Sequence, residues 1–527
     1  MEVIKKKSFL ILSVLFIGII ITMPISLILI ETTKINLSDI NKLINSNLID
    51  FFSQTSKLVI LTIFFSLLFA VFPAFIISFY KPKYTRILDV LLILPLAIPC
   101  YIMAFTYSDL LGYNGFFQSV FGISQFDVLT IGWLSFFLAL ALYPYIYTTS
   151  RISFSLIGST YMDLSKSLGL SKLSTFIKVI LPLSISGICS GTILVIMEVL
   201  NEYGAVNYFG INTFSVGIFK YWFSLDNKSY AILLSFLLLL LVLFFVLIGN
   251  FLKKRDEKLS YHLKSSNESR LYFKSNFSKY FSLFVASVPF ILGFIIPLIF
   301  ILSNIVTNFN SYDFNHLFEL FKNSIYVGVF SSLIIVVIAF YILNVKRLTK
   351  NKFISAIIKV LTTGYAVPGA VIGLSLMLLI RFFGDGYSFL MGTVLLLIYA
   401  YVFRFISVAI FPLETSLKRQ PKTFDNQALS LRLNPLKLFY KITLPLNKQA
   451  LISAFILVFI DIVKELPVTL ILRPFNFETL ATQTYEYATE EMLSYSSLYS
   501  FTLILCCSFM LVYVSTFLNK KNVFTSK

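Results

Sequence analysis

STYMDLSKSLGLSKLSTFIKVILP, residues 159–182, and KTFDNQALSLRLNPLKLFYKITLP, residues 422–445, are two versions of one passage. Each opens on a short stretch of mixed apolar and polar residues. Each then breaks, at Gly169 in the first and at Asn434-Pro435 in the second, and runs through a basic amphipathic stretch to Leu-Pro. Gly and Asn-Pro punctuate helices, so each passage predicts a helix, a turn and the start of a second helix. Both lie between long apolar runs, and their surroundings decide what they are for.

Those surroundings are membrane. The chain has 527 residues, 57% of them hydrophobic and 13% charged, and its mean hydropathy is +0.86. Apolar runs of ~20 residues, the length a helix needs to cross a bilayer core of ~30 Å, recur near 8–30, 58–80, 87–111, 128–150, 179–200, 230–252, 280–303, 323–345, 357–380, 388–412, 449–472 and 497–518. The reading is an all-α polytopic membrane protein of about twelve transmembrane helices. The first run follows Lys5, Lys6 and Lys7, but it is too long for a signal core. Met23-Pro24 and Glu31 offer no small-x-small cleavage site, so it is read as an uncleaved helix.

The formal charge of +18 invites a polynucleotide partner until the basic residues are placed along the chain. With the amino terminus in the cytoplasm, 33 of the 43 Lys and Arg but only 8 of the 25 acids fall on the cytoplasmic side, among them Lys81, Lys83, Arg86, Lys253, Lys254 and Arg255. A positive-inside bias of this kind orients the chain with both termini cytoplasmic and accounts for the charge with no nucleic acid. Cys100, Cys189, Cys506 and Cys507 sit in apolar runs without metal-ligand spacing and read as small buried side chains.

The halves echo each other beyond the two passages. Pro24 answers Pro297, Pro99 answers Pro368, and LYPYIY at 142–147 answers IYAYVF at 398–403. Six spans, an even number, separate each feature from its echo, so the two repeats share one orientation. The expected organisation is a first helix and outer loop over 1–53, a first transmembrane domain over 54–252 and a cytoplasmic linker over 253–279. A seventh helix and outer loop over 280–318, a second transmembrane domain over 319–518 and a tail over 519–527 follow.

The pattern within the passages resembles the coupling-loop signature of bacterial ABC importer permeases. Asp163, Leu164, Ser165, Gly169, Leu181 and Pro182 occupy it in the first half, and Asn426, Gln427, Ala428, Arg432, Leu444 and Pro445 in the second. The usual Glu is Asp163 and then Asn426, and the usual Gly becomes Arg432. The blocks MEVLNEYGAVNYFGINTFSVGIFKYWF from 197 and KELPVTLILRPFNFETLATQTYEYATEE from 464 resemble those of the ferric-iron permease family, in which two permease halves are fused. Relatives of this architecture carry thiamine or phosphonates. The resemblance implies two tandem six-helix type I permease repeats in a bacterial inner membrane. It also implies two copies of an ATPase subunit on the cytoplasmic face, using ATP and Mg, and a soluble substrate-binding protein outside. Without these passages, an ion-coupled secondary transporter is the rival reading.

The chain itself reads as neither enzyme nor cofactor carrier. No Gly-Lys dipeptide occurs, so the phosphate-cradling GxxxxGK[ST] loop is missing. His262 and His316 are far apart and do not make a clustered metal site. Carboxylates in apolar runs mark function or helix-end anchoring. Glu198 and Glu465 are expected at equivalent outer ends of the fifth and eleventh spans, either at a gate or paired with Lys464 or Arg473, with Asp461 one turn below Glu465. Glu202 and Tyr203 are candidates to meet a passing ion. Pro95, Pro99 and Pro368, with Gly364 and Gly369, are expected to bend spans three and nine. Glu478, Glu486, Glu490 and Glu491 form an acidic outer face, either solvated or met by a delivering protein.

Overall fold

The computed structural model describes residues 2–36, 38, 41, 47–80, 85–112, 127–157, 159–260, 275–349, 351–421, 423 and 439–519, and every element among them is helical. The first half holds α1 (Glu2–Thr33), α2 (Ile49–Phe75), α3 (Thr85–Ile93), α4 (Cys100–Leu111), α5 (Ile131–Leu156), α6 (Ser159–Ser167), α7 (Leu181–Asn201), α8 (Gly204–Tyr208), α9 (Phe214–Phe219) and α10 (Lys228–Ser260). The second half holds α11 (Asn276–Phe290), α12 (Ile296–Thr307), α13 (Phe314–Thr349), α14 (Lys352–Thr362), α15 (Gly369–Phe383), α16 (Val394–Arg419), α17 (Lys448–Val463), α18 (Pro467–Leu472), α19 (Leu480–Thr489) and α20 (Leu493–Asn519).

Nine helices among the described residues are long and apolar enough to cross a membrane, and three bent pairs raise the number to twelve. The outward faces are apolar. Ile60, Phe64, Leu68 and Phe72 form an exposed stripe on α2, and Phe9, Leu12, Phe16 and Ile19 another on α1. Water would not tolerate stripes of this length; hydrocarbon does.

Two of the bent pairs are sharper than the bends expected from their prolines. The chain turns 87° between Ala97 and Cys100, and 114° between Ala366 and Gly369. Ile98 and Val367, each before a proline, are extended (ψ 115° and 122°), because the proline ring excludes the helical region for its predecessor. Pro99 and Pro368 then stand at the N-caps of α4 and α15, where a missing N–H costs little. These spans are therefore broken.

The chain forms two compact units. One contains Leu37–Tyr312 and Thr484–Ser508, the other Met1–Asn36, Asp313–Gln483 and Phe509–Lys527. The first is built on α2, α5 and α7, which pack on one another; α11 joins it against α2 and α3, and α12 against α4. The second is built on α13, α16 and α17, the counterparts of that trio, and α1 joins it against α14 and α15. Each half thus recruits a helix from the other half of the sequence.

Matching hydrogen bonds confirm the repeat. The Phe214 amide that opens α9 donates to Thr55 Oγ1 on α2 (3.3 Å), and the Leu480 amide that opens α19 donates to Ser324 Oγ on α13 (2.8 Å). Near the end of α5, Arg151 meets Asp89 of α3 at 3.0 Å, and the Tyr147 hydroxyl donates to the same carboxylate at 2.7 Å. Near the end of α16, Glu414 meets Lys346 of α13 at 2.8 Å.

Small residues permit the closest approach within the first trio. A Cβ on Gly191 of α7 would lie 2.6 Å from Ile146 Cα and 2.8 Å from the Tyr145 carbonyl oxygen of α5. Backbone cannot yield as a side-chain end can. Gly191→Val is therefore expected to destabilise the protein by about 1–3 kcal/mol or more, read as a lowered midpoint in thermal unfolding of the purified protein in detergent; Gly132→Ala, where nothing lies within 4 Å, is the neutral control.

Candidate functional site

The passage at 159–182 folds as a helical hairpin whose turn is specified residue by residue. α6 ends in a Schellman motif: Gly169 sits at φ +71°, its amide donates to the Lys166 carbonyl (2.9 Å), and the Leu170 amide reaches back to the Ser165 carbonyl (3.0 Å). No atom lies within 4 Å of a Cβ built on Gly169, so glycine is required there by conformation and not by space. Ser171 then caps the returning helix, its hydroxyl accepting from the Ser174 amide (3.2 Å) and its carbonyl from the Thr175 amide (2.8 Å).

A π turn at Phe176–Ile180 follows and leads into α7 at Leu181-Pro182. The wider turn accommodates a residue that cannot donate. In the second half Phe439–Thr443 is again a π turn and again precedes Leu-Pro, at Leu444-Pro445. Asn426, Gln427, Ala428 and Arg432 lie outside the described residues.

The first hairpin has a fastened side and an open side. Ser165 is buried, its hydroxyl donating to the Tyr161 carbonyl (2.7 Å), and Thr175 and Ile180 are buried as well. Leu164, Leu168, Leu173 and Ile177 are exposed, Leu168 by 76%. Asp163 meets Lys166 at 3.4 Å, but both side chains are largely in solvent, which leaves the pair worth little.

The second constellation lies where α7 and α17 stop and the chain turns into α8 and α18. Glu202, extended after Asn201, caps α8 by accepting the Ala205 amide (2.9 Å). Tyr203 next to it stacks on Phe219 with ring centroids 3.7 Å apart and meets Tyr485 at 5.9 Å. Asn207 donates to the Tyr485 hydroxyl (2.8 Å), and Ser108 donates to the Tyr208 hydroxyl (3.3 Å). The result is an elbow rich in hard oxygen atoms.

In the other unit Glu465 caps α18 with both oxygens. Oε1 accepts the Val468 amide (3.0 Å) and Arg404 Nη1 (3.0 Å); Oε2 accepts the Thr469 amide (3.0 Å) and hydroxyl (2.9 Å). Tyr401 adds a 2.6 Å hydroxyl contact to Thr469. The ion pair is buried, with side-chain exposures of 6% for Arg404 and 1% for Glu465. It also explains Gly369, whose added Cβ would stand 2.2 Å from Arg404 Nη1 and 2.9 Å from Glu465 Oε1.

The structure corrects the expected register of the carboxylates. Glu465 corresponds to Glu202, since each caps the short helix after the break. Glu198, half-buried on α7, corresponds to Asp461 on α17. The separation is the one that relates Leu181-Pro182 to Leu444-Pro445, a signal present in the sequence. The partner of Glu465 is Arg404 and neither Lys464, which faces Asp461 at 3.7 Å, nor Arg473, which faces Glu478 at 3.9 Å. No group of three His, Cys, Asp or Glu residues among the described residues is arranged to hold a metal ion.

The geometry makes Arg404 a test of what a buried pair requires. Arg404→Met strands the Glu465 carboxylate and is expected to cost about 3–5 kcal/mol. Adding Glu465→Gln should recover part of that loss in thermal unfolding, and a double variant less stable than the single one would contradict the pairing.

The profile of the binding-protein-dependent transport system inner membrane component matches residues 63–257 and 347–521, one match per half. The Fe(3+)-transport system permease protein FbpB 2 of Haemophilus influenzae is 25% identical over 520 residues, covering 97% of this chain and 98% of that protein. The sulfate transport system permease protein CysT of Salmonella typhimurium is 26% identical over 38% of this chain and 73% of its own length. The molybdate/tungstate transport system permease protein WtpB of Methanocaldococcus jannaschii is 26% identical over 32% of this chain and 68% of its own. Permeases of this kind have no catalytic activity or cofactor of their own and work with an ATPase and a binding protein. The chain belongs to the binding-protein-dependent inner membrane component family, as a multi-pass permease subunit of an ABC importer that carries both permease domains in one polypeptide.

Proposed function

We propose that the chain imports ferric iron, delivered by a soluble binding protein, and that two copies of an ATPase dock in the cytoplasm on the two passages at 159–182 and 422–445. The observation that supports the iron reading most is coverage: the relative named for Fe(3+) matches nearly end to end, across both halves and the linker. The relatives named for sulfate and for molybdate or tungstate align over about a third of the chain.

The elbow chemistry agrees with that reading. Ferric iron is a hard cation that favours oxygen ligands, and Glu202, Tyr203, Tyr208 and Tyr485 gather such atoms in one unit. An oxyanion would need spare positive charge, and the guanidinium of Arg404 is already committed to Glu465. In the same unit the carboxylate of Glu198 lies one turn before the elbow.

For the passages, the exposed leucines carry the argument. Positive-inside orientation puts both termini and both passages in the cytoplasm, where Leu164 and Leu168 would be an unfavourable apolar surface unless a partner covers them. Asp163, exposed beside Leu164, belongs to that face, while Ser165 is buried on the fastened side. Gly169 and Ser171 fix the turn, and the helix beyond Leu181-Pro182 continues unbroken to Asn201, so displacement of the hairpin moves the elbow at Glu202. Alternating access then follows from closure of the ATPase pair on ATP.

Two measurements test these roles. Leu164→Asp with Leu168→Asp is expected to weaken co-purification of the ATPase by about tenfold or more, since burying each leucine is worth ~1.5–3 kcal/mol; Gly169→Pro, whose ring forbids φ +71°, should abolish uptake while leaving the protein in the membrane. For the substrate, hydrolysis by the complex in proteoliposomes should rise with its binding protein loaded with Fe(3+). Stimulation by a sulfate- or molybdate-loaded binding protein instead would reverse the assignment.

A further inference from the structure

The two helices that leave the passages differ in one respect that the repeat does not explain. In the first half, Leu173–Asn201 runs as one span. In the second, the corresponding span is broken by 66° between Leu446 and Lys448, at Asn447. The residue in the matching position, three beyond the Leu of Leu-Pro, is Ser184, which is buried and whose hydroxyl has no hydrogen bond among the described residues.

Asn447 is buried, 2% exposed, and every polar atom of its side chain is engaged. Its Oδ1 accepts the Ser416 hydroxyl (2.7 Å), and its Nδ2 donates to the Thr443 carbonyl (2.7 Å) and to Gln420 Oε1 (3.3 Å). Ser416 lies in the last turn of α16 and Gln420 directly after it, at the start of the second passage; Thr443 closes the π turn near that passage's end. One amide side chain therefore ties start to end. The break has the same cause, because Asn side chains compete with the helix for backbone acceptors, and the Asn447 amide itself bonds to both the Thr443 and Leu444 carbonyls (3.2 Å each).

The far side of the knot is held as well. Arg347 at the end of α13 donates to the carbonyls of Leu417 (2.6 Å), Gln420 (3.4 Å) and Pro421 (3.2 Å), and Lys346 meets Glu414. Among the described residues the first half is held there by other contacts: the Ser78 hydroxyl donates to the Arg151 carbonyl (3.2 Å), and Arg151 meets Asp89 (3.0 Å).

We propose that Asn447 is a positioning residue for energy coupling: at the bend that the first half lacks, it ties the end of α16, where the second passage begins, to the π turn at Phe439–Thr443, where that passage ends. This inference rests on the ATPase-docking role assigned above to the passages.

The test uses the whole transporter, reconstituted with its ATPase and binding protein. Asn447→Ser installs the residue of the first half and should fold, since Ser184 is accommodated at the matching site; Ser416→Ala removes one tie; Ser184→Ala is the control. With either of the first two variants, uptake per ATP hydrolysed is expected to fall about three- to thirty-fold, with ATPase association and basal hydrolysis retained. In a cysteine-replaced background, spin labels at Phe411 and Tyr440, both exposed, should report a broader distance distribution in Asn447→Ser than in the parent. An unchanged coupling ratio, or an equal fall in Ser184→Ala, overturns the positioning role while leaving the docking role intact. If Leu164→Asp with Leu168→Asp leaves ATPase association untouched, the docking role itself fails, and the positioning role with it.

Discussion

A helix that stops within a membrane span leaves backbone amides that lipid cannot satisfy, and three candidate spans of this chain are broken in this way among the described residues. Each interruption must bring its own partners. Prolines at the caps of α4 and α15 remove donors that would otherwise go unpaired, while Glu202 and Glu465 supply acceptors to α8 and α18. Where the carboxylate is fully buried, as at Glu465, it needs a counter-charge, and Arg404 provides it across two helices. Gly369 is small so that the pair fits. A long list of residues that look functional in isolation thus follows from one requirement of the medium.

Much of this was legible in the sequence. Span length and charge asymmetry mark the membrane elements, and the Gly169 and Leu-Pro spacing marks the hairpin, because local backbone chemistry dictates both. The carboxylate register was misread where two acids lie one turn apart, Glu198 and Glu202 in one half, Asp461 and Glu465 in the other; residue type alone made Glu198 and Glu465 look like a match. Arg404 was invisible as a partner because it lies on a different helix, 61 residues from Glu465. The sharpness of the breaks at Pro99 and Pro368 was also hidden, since a proline states that a helix is interrupted and tertiary packing sets the angle.

The repeat is best described as conserved geometry with exchanged chemistry. The trio α2, α5 and α7 is rebuilt as α13, α16 and α17. The ion pairs near its end are not equivalent: Arg151 of α5 meets Asp89 of α3, outside the trio, whereas Glu414 of α16 meets Lys346 of α13 within it. The turn after the hairpin diverges further, with Ser184 in a continuous span and Asn447 in a broken one.

The recruitment of α1 by the second-half unit has a consequence for biogenesis. During synthesis, α1 emerges first, yet α14 and α15, against which it packs, are made more than three hundred residues later. Until then it must wait in lipid without its mate. Its exposed Phe9, Leu12, Phe16 and Ile19 suit that long solitude. Final assembly is therefore tied to completion of the polypeptide, and a ribosome that stalls after α10 would leave α1 stranded and the nascent first half lacking α11 and α12.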